Sequence, residues 1–419
     1  MSSPTTEVPK PKTRPKLPEG WRWVRLGDVT KVVGGSTPKT GIKEYWNGDI
    51  VWITPADLGK LSTREIYSSG RKITQLGYES SGAELVPVKT VVMSSRAPIG
   101  HLGIAAVPLC TNQGCKSFIP SESIDSVYLY FVLKQAVPEL QLLGRGATFL
   151  EISKTQLENY FIPLPPLETQ RRIAAILTEQ MEAVEKARKA AEEGLEAARE
   201  LPEACLRSAF PTVPITVNTA PAPKGWRWTL LTDFARLESG HTPSRRREEW
   251  WGGDIPWISL SDIRALDGKT AIQTREYTNP EGIANSSARV LPAGTVVLSR
   301  TASVGFVTVM GRPMATSQDF VNWVCGPELE PWYLAYALMA SREYIRSLGS
   351  GAVHQTVYVP VVQRFRLLHP NLETQHRIVA ELNAKLEATQ ALIRSLEAQL
   401  EAIRALPAAI LRRAFSGEL

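Results

Sequence analysis

Arg245, Arg246 and Arg247 follow Thr242-Pro243 after one serine, and 205 residues earlier the matching loop holds Lys39 and Lys43 after Thr37-Pro38. Cationic side chains grouped this way can neutralise phosphate, and arginine can give two hydrogen bonds to guanine. A solvated basic loop has the same composition. Ser95 and Arg96 in one half, and Arg300 and Thr301 in the other, stand where buried strands are expected to end, a place from which side chains can be aimed. Glycine-rich polar tips carry Arg145 and Thr148, then Ser350 and His354, and could follow a phosphate backbone. Motifs for bond-making chemistry are missing. Gly268-Lys269-Thr270 ends like a phosphate-binding loop, but Ile263 stands where its first glycine is required. Pro165-Pro166 precedes a leucine and opens a helix, so it is not the Pro-Pro-aromatic stretch of an amino-methyltransferase. The five histidines form no metal-spaced pair, and no nucleophile elbow is present. Cys110, Cys115, Cys205 and Cys325 lack ligand spacing and are expected to be reduced thiols of a cytoplasmic protein.

The elements that must position these residues are written twice. Leu167-Glu168-Thr169-Gln170 returns as Leu372-Glu373-Thr374-Gln375, an offset of 205. The same offset carries Trp21-Arg22-Trp23 onto Trp226-Arg227-Trp228, Asp49-Ile50 onto Asp254-Ile255, Thr90-Val91-Val92 onto Thr295-Val296-Val297, and Gln113 onto Gln318. Chance does not hold one register through so many Trp, Gly and Pro positions, so the chain is a tandem duplication of a globular unit and a long helix. Two copies are too few for a solenoid. Strands are expected at 49–54 and 254–259, and a turn with a buried strand at 86–94 and 291–299. Helices are expected at 126–135 and 331–339. The mixture of short pieces makes each unit α+β.

Apolar residues at Ile378, Leu382, Leu386, Ile393, Leu396, Leu400 and Ile403, with Thr389, mark a heptad seam. In the first copy the matching seam runs through Ile173, Leu177, Met181, Val184, Arg188, Ala191, Leu195 and Ala198. The expectation is that the two helices pair as an antiparallel coiled coil with pseudo-two-fold symmetry, large side chains of one lying over the alanines of the other. Pro202 and Pro407 are expected to end or kink them. A helix from Leu167 to Leu201 would be about 50 Å long, roughly 15 base pairs of B-DNA. The resulting divisions are a disordered basic arm at 1–19, units at 20–164 and 225–369, helices at 165–210 and 370–419, and a Pro/Thr/Ala-rich linker at 211–224.

The bulk composition is that of a globular protein: 419 residues, 43% hydrophobic, 21% charged, net charge +6. The charge mildly favours a polyanionic partner. No apolar run approaches the roughly 18 residues of a membrane span, so no membrane association is expected.

GGSTPKTGIKEYWNGDIVWITPADL, SSRAPIG, TNQG and GRGATFLEISKTQLENYFIPLPPLETQRRIAAIL, with their second-half counterparts, resemble the specificity subunits of type I restriction-modification enzymes over residues 20–419. The resemblance implies two target-recognition domains on an antiparallel helical coil, each reading one half of a split site in double-stranded DNA. It implies docking of two methyltransferase subunits along the helices, here expected near Gln170, Arg171, Gln375 and Arg377, with nuclease-translocase subunits joining that core. S-adenosylmethionine would sit on the methyltransferase, leaving this chain without catalytic residues or a cofactor of its own. SRTASVG departs from SRAPIG, with one more residue between Arg300 and Gly305 than between Arg96 and Gly100. Two other readings stand beside this one: a self-contained methyltransferase or nuclease, and a coiled-coil adaptor binding protein or glycan through duplicated globular ends.

Overall fold

The computed structural model describes residues 16–144, 150–350 and 355–418. It divides into two units, Met1–Glu192 with Gln399–Leu419, and Glu193–Ala398. The strands of the first are β1 (Arg22–Arg25), β2 (Thr30–Gly34), β3 (Trp46–Ile53), β4 (Glu65–Ile66), β5 (Arg71–Ile73), β6 (Val91–Ser94), β7 (Leu102–Ala105), β8 (Leu109–Thr111), β9 (Cys115–Pro120) and β10 (Phe161–Leu164). They form a five-stranded sheet in the order β2-β9-β6-β7-β4, a three-stranded sheet β5-β3-β8, and the pair β1-β10. β6 is the middle of the large sheet, and all four of its residues, Val-Val-Met-Ser, are buried. A strand covered on both faces reads as a continuous apolar run, which is why it lacks alternation.

The second unit repeats the plan with β11 (Ile215–Thr216), β12 (Arg227–Leu230), β13 (Ala235–Ser239), β14 (Trp251–Ile258), β15 (Thr270–Ala271), β16 (Glu276–Thr278), β17 (Val296–Ser299), β18 (Val307–Met310), β19 (Ala315–Thr316), β20 (Phe320–Cys325) and β21 (Arg366–His369). Its sheets are β13-β20-β17-β18-β15, β16-β14-β19 and β11-β21-β12. The added strand β11 lies in the stretch expected to be a linker. Ile215 there is fully buried, pairs with Leu367, and donates its N–H to Ser341 Oγ at 3.0 Å. An apolar side chain with a sheet edge to satisfy is drawn into the core, whatever the proline content around it.

Four longer helices complete the units: α1 (Ser126–Leu143), α2 (Leu167–Ser208), α3 (Pro331–Ala340) and α4 (Leu372–Ser416). Asp125 caps α1, its Oδ1 accepting the N–H groups of Val127 and Tyr128 at 2.9 and 3.0 Å. α2 and α4 continue through Pro202 and Pro407, where the sequence suggested a stop. Packing beyond the prolines holds the final turns. Leu206 and Phe210 are buried in the second unit, Phe210 edge-on to Tyr333 at 5.6 Å between ring centres. Leu411, Ala414 and Phe415 are buried in the first, Phe415 edge-on to Tyr128 at 5.6 Å. Burying such rings is worth about 2–3 kcal/mol each, comparable with the roughly 3 kcal/mol cost of an interior proline.

Within each unit the helix segments run antiparallel. In the first, Glu192 meets Arg404 at 3.3 Å while Val184 lies beside Ile410. In the second, Arg199 pairs with Glu397 at 3.2 Å, and Leu206 shares a core with Val379 and Leu382. The seam is the one read from the heptads. Ile173, Leu177, Ala191, Leu195 and Ala198 are buried, as are Leu382, Thr389, Leu400 and Ile403. The seam arginine, Arg188, is half-exposed and turned to Glu185 and Glu192, each at 2.6 Å. Among the described residues no helix is long and apolar enough to cross a membrane.

Candidate nucleic-acid interface

At one end of the first unit, four segments converge. The Gly35–Lys39 loop reaches the β8–β9 turn, where Ser36 N–H donates to Thr111 O at 2.8 Å and the Thr37 hydroxyl donates to Gln113 Oε1. A side chain on Gly35 would lie 1.9 Å from Asn112 O, so only glycine permits this approach. The segment after β6 lies alongside: Ser95 N–H donates to Gly114 O, and Arg96 forms an isolated bridge with Glu151, its Nη1 3.6 Å from Glu151 Oε2. Lys116 Nζ is nearly buried among Ser95 Oγ at 3.1 Å, Gln113 O at 3.3 Å and Glu151 Oε1 at 3.5 Å.

The second unit makes the same convergence with other chemistry. Gly240 would place a Cβ 2.0 Å from Ser317 O, and the Thr242 hydroxyl donates to Gln318 Oε1. Arg300 Nη2 donates to Gln318 O at 2.8 Å, while its buried Nε has no partner among the described residues. Thr301 bridges Thr356, the counterparts of Arg96 and Glu151. The two strand-end loops are therefore equal in length. Ala97 and Ala302 occupy the same place with φ of 53° and 59°, and Arg300 matches Ser95, not Arg96. The extra residue read between Arg300 and Gly305 came from aligning the two arginines. A cleft of about 360 Å³ opens here, lined among others by Thr242, Arg245, Trp257, Glu276 and Gln318.

A pair of indoles lies at the same place in each unit, Trp257 of the second lining the cleft. Trp46 and Trp52 meet edge-on at 5.1 Å, Trp251 and Trp257 at 4.9 Å, and Trp52 and Trp257 bury their rings while donating Nε1–H to Ser36 O and His241 O. Trp46, Trp52 and Trp257 are core residues, while Trp251 is half-buried. Over each pair lies a guanidinium, supplied from different places. In the first unit it is Arg71 on β5, 3.6 Å above Trp46. In the second it is Arg245, 4.1 Å above Trp251, and the residue matching Arg71 is Glu276, which binds Arg245 with both oxygens. That bond holds the Glu276 carboxyl below the usual carboxylate range and raises Arg245.

The sequence-derived candidates fare unevenly. Lys39 and Lys43 are exposed. Arg96 is half-buried against Glu151. Arg246 is exposed and has no ion pair among the described residues, whereas Arg247 pairs with Glu249 at 3.5 Å. Arg300 and Thr301 are half-buried, and Ser350 is exposed and bridged to Thr356. Ser95 is fully buried beneath the loops, with Lys116 on its hydroxyl, and is no surface contact. Arg145, Thr148 and His354 lie outside the described residues. Arg71, Lys116 and Gln113 with Gln318 were missed as candidates. The glutamines carried a signal, since both copies keep them.

The expected docking glutamines are corrected by burial. Gln170 accepts Asp125 N–H at 2.9 Å and donates to Ser123 O and Pro165 O; Gln375 repeats this with Glu330, Glu328 and Pro370. Both are inside and fasten their helices to α1 and α3. Arg171 and Arg377 beside them are exposed.

A family profile described as "Type I restriction modification DNA specificity domain" matches residues 18–193 and again 223–402. The MjaIX specificity subunit of a type I restriction enzyme from Methanocaldococcus jannaschii is 30% identical over 293 residues, 68% of this chain and 67% of that protein. The crystal structure of the HsdS subunit from Thermoanaerobacter tengcongensis superposes with a TM-score of 0.69 at 24% identity, covering 96% of this chain and 98% of that one. A chain from a structure of the type I R-M system described for its complex assembly gives 0.73 at 23% identity, covering 97% and 100%. These two likenesses concern the fold. With two matches spanning most of its length, this chain belongs to the type I restriction-modification DNA specificity family.

Proposed function

We propose that the chain is the DNA-sequence-recognition subunit of a type I restriction-modification complex, each unit reading one half of a bipartite site in double-stranded DNA. The observation that carries this reading is the repeated convergence of loops, one backbone plan presenting unlike side chains: Arg71 against Arg245–Glu276, and Arg96–Glu151 against Thr301–Thr356. A scaffold kept constant under varied tips suits two readers of two different half-sites. Lys39, Lys43, Arg71 and Arg96 are the contacts proposed in the first unit. Arg245, Arg246, Arg247, Arg300, Thr301 and Ser350 are those of the second, and Arg145, Thr148 and His354 remain proposals from the sequence. The long helices set the gap between half-sites and bind two methyltransferase subunits, with Arg171 and Arg377 on the exposed faces; nuclease-translocase subunits complete the assembly.

The chain itself is proposed to be non-catalytic, with S-adenosylmethionine held by the methyltransferase. In support, burial pushes the Cys110 thiol up to about 11 and Cys115 and Cys325 to about 12, so these sulfurs are poor nucleophiles. The test is to co-express the chain with its modification subunit and map methylated adenines in host DNA. A split motif with two unlike halves and a fixed gap supports the reading. Stoichiometric S-adenosylmethionine binding by the isolated chain would contradict its non-catalytic part.

A further inference from the structure

Gln113 and Gln318 are exposed at matching turns, between β8 and β9 and between β19 and β20. Each is held from two sides. A threonine hydroxyl, Thr37 or Thr242, donates to the side-chain Oε1. A cation donates to the glutamine's own carbonyl: Lys116 Nζ at 3.3 Å in the first unit, Arg300 Nη2 at 2.8 Å in the second.

Those cations do not come from matching positions. Lys116 matches Val321, and Arg300 matches Ser95. In the first unit the lysine reaches across to Ser95 Oγ at 3.1 Å, the place from which the second unit's arginine springs. Two different exchanges thus lead to one arrangement: an exposed amide, its oxygen occupied, with a positive charge beneath it. A carbonyl does not need a full charge to be satisfied, since a neutral donor suffices. With the oxygen engaged by threonine, each amide presents its Nε2 donors outward, and these have no acceptor among the described residues. Donors backed by a cation fit an anionic oxygen.

We infer that Gln113 and Gln318 are a pair of shared phosphate contacts, one per half-site, and that Lys116 and Arg300 are their positioning residues. This rests on the DNA-recognition reading and adds a division of labour to it. A group common to two units that read unlike halves carries no base discrimination; it fixes the register in which the differing side chains meet the bases. In the second unit Asp319 follows the tip, and Ser317 Oγ engages its carboxylate at 2.8 Å.

The experiment uses the complex reconstituted with its modification subunits. Binding is measured to a duplex carrying the methylated motif and to an unrelated duplex, for Gln113→Ala, Gln318→Ala and the corresponding Gln→Glu variants. The expected result is an affinity loss of about 5- to 20-fold for each alanine variant, equal on both duplexes and larger for glutamate, with the methylated motif unchanged. In addition, Lys116→Val should weaken binding, and Ser95→Arg added to it should restore binding by installing the second unit's solution. Unchanged affinity with a folded complex would make the tips scaffold only. A changed base in the motif would make them base readers, and failure of the arginine rescue would remove the positioning role. If instead the wild-type complex gives no split motif, the DNA-recognition reading fails first, and that outcome is seen before any variant is made.

Discussion

Arg245 is restrained by Glu276 and stacked on Trp251, whereas Arg71 lies on Trp46 without a carboxylate partner among the described residues. Removing the restraint should add a cation to the DNA face. Glu276→Ala is expected to steepen the dependence of log affinity on log salt by about one, and Arg246→Ala to flatten it by about one; equal slopes in titrations from low to physiological salt would exclude both side chains from phosphate. A second residue-scale prediction concerns acid. His369 is buried, donates Nδ1–H to Pro370 O at 2.9 Å, and turns Nε2 toward Thr229 Oγ1 at 3.0 Å and Arg227 Nε at 3.3 Å. Burial first, and Arg227 with it, lower its affinity for a proton below the ordinary 6.5. The unfolded chain therefore binds a proton that the folded unit refuses as pH falls below about 6.5. Its contribution is full above that value and declines through the window down to the lower folded value. The protection of the β12 and β21 amides, taken relative to their intrinsic exchange rate at each pH, should fall between pH 7 and 5. In His369→Leu, which copies Leu164 of the first unit, the histidine's share of that change should vanish.

At the scale of elements, the fastening of α2 and α4 by Gln170 and Gln375 predicts a structural phenotype. Gln170→Leu strips the partner from Asp125 N–H and two carbonyls, a loss of about 2–4 kcal/mol, read as a lower denaturation midpoint. Methyltransferase affinity of the folded variant should be unchanged, and a selective loss of that affinity would return Gln170 to the docking surface. The Leu-Glu-Thr-Gln repeat was plain in the sequence, but its glutamine was expected on the docking surface and is buried instead. Nothing local says that a polar side chain three places into a helix will turn inward to cap a neighbouring helix start. The prolines misled for the same reason: Pro202 and Pro407 are helix breakers by propensity, and Phe210 and Phe415 overrule them through tertiary packing. Elements with strong internal signals were legible. β3 and β14 followed from their Trp and Ile pattern, and the seam of α4 from its heptads.

For the whole molecule, one offset of 205 was readable from Trp, Gly and Pro alone, and the structure places β1 and β12, β3 and β14, and α2 and α4 at that offset. Much less of the candidate site was readable, because it is made where loops distant in sequence converge. Arg71 matches a glutamate in the other copy, and only the shared indole pair shows that it replaces Arg245. Ser95 promised a contact at a strand end and is covered by the very loops it was grouped with. The two units read DNA separately through these differing tips. The most direct measurement is to replace residues 20–164 with the corresponding stretch of another specificity subunit and map the methylated motif of the complex. The prediction is that one half of the motif changes to that of the donor while the other half and the gap stay as they were. A motif altered in both halves, or unaltered in either, would contradict it.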